Sequence, residues 1–361
     1  MDFDGRTCPA QRTTNTTHHL TTMLSLATNA VTERLKIGGI AVRRSLSPKL
    51  LLKVETNLNT DGSCLALDAK HEEETSELWN DQVIASVKIP KEEVQLGHLI
   101  GQGASGEVYS GSLRGEKVAV KKLRTETQEN EEHVNKFLAE VKTSATLDHP
   151  HIVGFVGVSW TSVSDVYVIQ EFAEGGDLRS LLDKYEAEKH VVGFDQEKTK
   201  IAMQICSALA HMHSQSPPVI HGNLKSRNVL LNSELEAKVT NFGTESKKKT
   251  LWMAPEILRG GKQSTDADMF SFGVLLSELD MLSAPYSQAR KQIHDSSWCI
   301  LQDAAILEKV TKGSLRVVFS ESGPMALAEL GRACVSINPL NRPTASEALY
   351  RLQMILSEEL A

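Results

Sequence analysis

Gly101, Gly103 and Gly106 stand in the run Gly101-Gln102-Gly103-Ala104-Ser105-Gly106-Glu107-Val108. Glycines so spaced let a backbone turn sharply and approach phosphate oxygens, with main-chain N–H groups as donors. A dinucleotide site would continue into a helix, with an acid about 20 residues further on. Here a β-prone run comes next instead, and then Val118-Ala119-Val120-Lys121. Two later segments concentrate polar groups: His221-Gly222-Asn223-Leu224-Lys225-Ser226-Arg227-Asn228 and Asn241-Phe242-Gly243. Asn223 is a neutral amide without useful basicity. Asn241 offers a neutral oxygen where a hard dication favours a carboxylate.

The elements that must position these residues change along the chain. Residues 1–60 are rich in Thr, Ser and Asn and are expected to hold little fixed structure as a leader. Residues 61–93 read as a lead-in, with Val83, Ile84, Val87 and Ile89 packing against the edge of the domain that begins near Val94. From Val94 the pattern turns to short strands: Leu99–Ile100, Gly106–Tyr109, Lys117–Lys121, Ile152–Val158 and Val166–Glu171. A helix over Glu131–Thr146 carries Val134, Phe137, Leu138 and Val141 at helical spacing, with Glu140 midway along it. After Gly175-Gly176 the chain becomes mainly helical, over Leu178–Tyr185, Gln196–Ser214, Asp268–Asp280, Ala304–Thr311 and the terminal segments. The expected fold class is α+β, a small antiparallel sheet-rich lobe followed by a larger helical one.

Composition sets bounds on function. The chain has 361 residues, 40% hydrophobic and 24% charged, as expected of a globular protein, with a formal charge of -7. That balance argues against nucleic acid or an anionic membrane surface as partner. Five cysteines are scattered without a C-x-x-C pair, which reads as reduced thiols in a cytoplasmic protein. No apolar run approaches the length of a membrane span, and the start Met1-Asp2-Phe3-Asp4 lacks the features of a signal peptide.

Over residues 94–357 the chain resembles the protein kinase family, with an N-lobe over 94–170, a hinge over 171–176 and a C-lobe over 177–357. The resemblance implies ATP as cofactor, under a glycine loop formed by Ile100, Gly101, Gly103, Gly106 and Val108. Lys121 would meet the α- and β-phosphates and pair with Glu140. Ala119 and Leu230 would sandwich the adenine, with Gln170 controlling pocket depth and Glu171 and Ala173 offering main-chain groups. Asp268 in the central-helix signature would tie down the catalytic loop, and Arg342 would pair with Glu256 of Ala254-Pro255-Glu256. The spelling Leu224-Lys225-Ser226-Arg227-Asn228 and the Trp252–Glu256 run resemble the tyrosine-kinase-like group, in which Lys225 suits Ser/Thr specificity.

The departures sit together. The family's catalytic base is replaced by Asn223 and its metal-binding acid by Asn241, while Asn228 is retained. Asn228 and Asn241 would therefore bind Mg²⁺ weakly or not at all. Gly222 replaces the arginine that grips an activation-loop phosphate, and that loop shrinks to Thr244–Met253. Lys249 takes the place of a threonine that touches the catalytic acid, and Ser144 that of a larger apolar residue stacked with His221 and Phe242. Two readings result. One is a pseudokinase, a kinase-fold signalling regulator that binds ATP weakly or not at all and docks to a protein partner such as a related active kinase. The other is a weakly active Ser/Thr kinase using Lys121, Lys225 and Asn228 for positioning.

Overall fold

The computed structural model describes residues 82–103, 106–124, 131–162, 165–243, 249–290, 293–294, 297–298 and 302–360. The expected leader, most of the lead-in and residues 244–248 of the shortened loop lie outside them. A short helix α1 (Gln82–Ser86) places Ile84 fully in the interior. Beyond it, Ile89 N donates to Val158 O at 2.7 Å and Val158 N to Val87 O at 3.0 Å. The lead-in thus covers the outer edge of a strand that would otherwise expose unpaired main-chain groups.

Five strands come next: β1 (Val94–Gly103), β2 (Gly106–Leu113), β3 (Glu116–Lys122), β4 (Phe155–Trp160) and β5 (Val166–Glu171). They pair antiparallel in the order β1-β2-β3-β5-β4. Helix α2 (Glu131–Thr146) lies against the sheet. Its stripe of Val134, Phe137, Leu138 and Val141 is buried in one cluster with Val158, Val166 and Val168. That spacing was legible because i, i+3, i+4 and i+7 residues share one helix face.

The strand expected over Ile152–Val158 begins later, at Phe155. Val153 N instead donates to Val239 O at 3.0 Å and Val239 N to His151 O at 2.9 Å. Residues 151–153 therefore pair with the second lobe, and buried Ile152 joins that lobe's core. A tertiary partner, rather than propensity, sets this boundary.

The second lobe contains α3 (Leu178–Ala187), α4 (Gln196–His213), α5 (Pro255–Leu258), α6 (Thr265–Met281), α7 (Ser287–Arg290), α8 (Asp303–Thr311), α9 (Met325–Cys334) and α10 (Ala345–Glu358). A small sheet of β6 (Gly176–Asp177), β7 (Val229–Leu231) and β8 (Ala237–Val239) lies at its top. α6 is buried all round, which makes it the axis of the lobe's core. Ser264 caps its start by accepting from Ala267 N, and α10 begins with a capping box between Thr344 and Glu347. The architecture is the bilobal α+β arrangement expected. No helix among the described residues is long and apolar enough to cross a membrane.

Candidate functional site

Strand alternation builds the upper wall. Ala119 and Lys121 lie two residues apart on β3 and so share a face. Register places Gln170 opposite Ala119, and Val108 opposite both Lys121 and Gly101. The β1–β2 turn closes with Gly103 opposite Gly106, which has φ +135. A Cβ there would sit 2.2 Å from Lys122 O, so only glycine fits. Ile100 is exposed on β1.

Lys121 is buried and forms an ion pair with Glu140 of α2, also buried. At the end of β5 the Glu171 side chain turns away, accepting from Gly154 N at 2.9 Å and Lys238 Nζ at 2.8 Å. Ala173 is half-buried beyond it. On β7, Leu230 is half-buried between fully buried Val229 and Leu231, and so faces the opposite side from their core.

The lower wall hangs from Asp268 on α6. Its carboxylate accepts from His221 N at 2.8 Å, Gly222 N at 2.8 Å and His213 Nε2 at 2.9 Å. These bonds fix the loop carrying Asn223, Lys225 and Asn228. Burial holds the His221 imidazole below its usual range, and its ring meets Phe242 edge-on, 6.2 Å between centroids. Gly222 adopts φ +69, where a side chain would be strained. Ser144, expected in this stack, is buried and donates back to Glu140 O at 2.8 Å within its own helix.

Asn241 has φ 59, a left-handed conformation that asparagine tolerates better than most residues. Its Oδ1 accepts from Lys121 Nζ at 3.0 Å, and its Nδ2 donates to Asn228 Oδ1 at 3.2 Å. Asn228 Nδ2 in turn donates to Asn223 O at 2.7 Å. Five sequence-selected residues thus form one line: Glu140, Lys121, Asn241, Asn228 and Asn223. Lys225 is half-buried on the same loop.

This donor set does not suit Mg²⁺, which prefers one or two carboxylates with near-octahedral geometry. Asn228 and Asn241 are neutral, and the side-chain oxygen of each already accepts a hydrogen bond. No metal-dependent step can be assigned to them.

Below this line, Lys249 reaches away from the catalytic loop and donates to Leu258 O at 2.9 Å, at the end of α5. It borders an open groove of about 560 Å³ that Leu258 and Leu307 also line. Arg342 grips Glu256 with two bonds, at 2.6 and 2.9 Å, and also donates to Asp266 O and Ser336 O.

Sequence reasoning missed a further anchor. Glu278 on α6 accepts from Ser226 Oγ at 2.8 Å, Trp252 Nε1 at 2.7 Å and Arg179 at 3.2 Å. It joins the catalytic loop, the segment before α5 and α3. Burial pushes its carboxyl up to about 7, against the pull of those donors. Its sequence signal was an acid within the apolar second half of that helix.

Known proteins match this chain in sequence. A family profile described as protein tyrosine and serine/threonine kinase covers residues 94–352. Among curated relatives from Dictyostelium discoideum, a probable LIM domain-containing serine/threonine-protein kinase is 32% identical over 79% of this chain and 42% of its own length. The dual specificity protein kinase shkD is 31% identical over 74% of this chain and 36% of its own. The probable serine/threonine-protein kinase drkA is 30% identical over 73% and 40%. The chain therefore spans less than half of each of these relatives. With two lobes, a Lys121–Glu140 pair and a loop hung from Asp268 inside the matched region, the chain belongs to the protein kinase family.

Proposed function

We propose that this chain is a pseudokinase of the tyrosine-kinase-like group, a cytoplasmic regulator that binds ATP and acts by docking to a protein partner such as a related active kinase. The observation that carries this reading is the set of neutral amides at 223, 228 and 241, with Asn241 bonded to Asn228 and Asn228 to the main-chain oxygen of Asn223. No carboxylate stands at 223 to take a substrate proton, and loss of a positioned base costs about 10²–10⁴ in rate. The neutral 241 and 228 positions remove a further electrostatic contribution to phosphoryl transfer. Lys249, which donates to Leu258 O, supports the same reading, since a lysine stands where the family has a threonine that touches the catalytic acid.

Nucleotide binding draws on the upper wall. Ile100, Gly101, Gly103, Gly106 and Val108 cover the phosphates, Lys121 positioned by Glu140 meets them, and Ala119, Gln170, Glu171, Ala173 and Leu230 take the adenine. The assembled Lys121–Glu140 pair, together with the kinase names of the relatives, favours a second reading as a weakly active Ser/Thr kinase in which Lys225 assists.

Radiolabelled phosphoryl transfer separates the two. The wild-type chain should remain at background on generic protein substrates, and restoring Asn223→Asp with Asn241→Asp should raise transfer. Wild-type transfer abolished by Lys121→Met would overturn the pseudokinase reading in favour of the second.

A further inference from the structure

Every donor and acceptor in the amide line is forced by its ends. Lys121 can only donate, so the amide oxygen of Asn241, rather than its nitrogen, must face the ammonium at 3.0 Å. Asn223 O is a main-chain carbonyl, so Asn228 turns Nδ2 toward it at 2.7 Å and presents Oδ1 to Asn241. The remaining link, Asn241 Nδ2 to Asn228 Oδ1 at 3.2 Å, then places a donor on an acceptor. An aspartate at 241 has no N–H to give. It would set oxygen against oxygen, a contact that a bound cation relieves.

We propose that this cleft takes a nucleoside polyphosphate without a divalent cation, because the Asn241 amide itself bridges positions 241 and 228. The inference rests on the nucleotide-binding reading above. Neutral side chains at 223, 228 and 241 place no negative charge against the phosphates, so no cation is needed to offset one. Lys121 spends two of its donors on Glu140 and Asn241, and an ammonium carries a third for an anion. Glu140 and Asn241 hold that ammonium from two sides, so its position does not depend on a metal.

The test is calorimetric titration of the full chain with ATP, in EDTA and in excess MgCl₂, for wild type and Asn241→Asp. Wild-type affinities should agree within about twofold between the two conditions. Asn241→Asp should bind at least about tenfold more weakly in EDTA than in MgCl₂. Wild-type binding that requires Mg²⁺ would overturn the inference while leaving the nucleotide reading intact. Wild-type binding in neither condition would overturn both. Asn241→Asp that binds equally in both conditions would remove the amide as the cause. The wild-type comparison stands alone should the variant fold poorly, which its melting curve reports.

Discussion

The acids beneath the cleft and the residues facing it differ in one chemical respect. Asp268 and Glu278 are buried carboxylates, each surrounded by donors, and Glu256 is held in a two-pronged grip by Arg342. At the cleft, positions 223 and 241 carry neutral amides, that of Asn241 bonded to Asn228, which in turn donates to the main-chain oxygen of Asn223. The contrast separates two jobs of a carboxylate. Buried among main-chain and side-chain donors, it satisfies groups that would otherwise be orphaned. Facing a cleft, it would instead supply basicity or metal affinity, while an amide of similar shape can still accept and donate hydrogen bonds. This chain keeps the kinase architecture with amides at 223 and 241.

The comparison can be broken most severely at Arg342. Arg342→Ala should cost about 3–5 kcal/mol in urea denaturation, because Glu256 loses its partner and two main-chain carbonyls lose a donor. A loss below about 1 kcal/mol would place that ion pair among weak surface bridges instead. Asp268→Asn should cost about 1–3 kcal/mol, since an amide nitrogen would then face the N–H of Gly222. If it is as harmless as an amide at the cleft, the proposed division between the two regions fails.

The smallest effect concerns pH. His149 packs against His211, with ring centroids 4.9 Å apart, and against His151 at 5.6 Å. Burial, helped by these neighbours, pulls its imidazole down to about 4. The unfolded chain therefore takes up this proton first as pH falls, so its contribution is fully present above 6.5 and declines toward 4. Its partial exposure keeps the change modest. The urea midpoint of wild type should fall over that range more steeply than that of His149→Asn. Parallel slopes would show that another group dominates.

Much of the fold was legible because its signals are local. The α2 stripe, the β3 alternation and the glycine turn each arise from periods of a few residues, and each appeared where the spacing placed it. The strand start at Phe155 was not legible. Ile152 reads as strand in either setting, and only the presence of Val239 draws residues 151–153 to the other lobe. Glu278 was hidden for a similar reason. Its partners Arg179, Ser226 and Trp252 come from three separate segments, so no short window contains the network.

The amino-acid sequence by itself determined that amides stand at 223 and 241, because an amide side chain has no carboxylate charge wherever it sits. It also placed Lys121 and Glu140 in register on a strand and a helix. Only the tertiary structure decided that the Asn241 amide links Lys121 to Asn228, and Asn228 to the main chain of Asn223. Residues 121 and 241 are brought together by two lobes closing on one cleft, and 228 meets 241 across a turn. Hydrogen-bond direction depends on which neighbour approaches within about 3 Å, and sequence spacing carries no such distance.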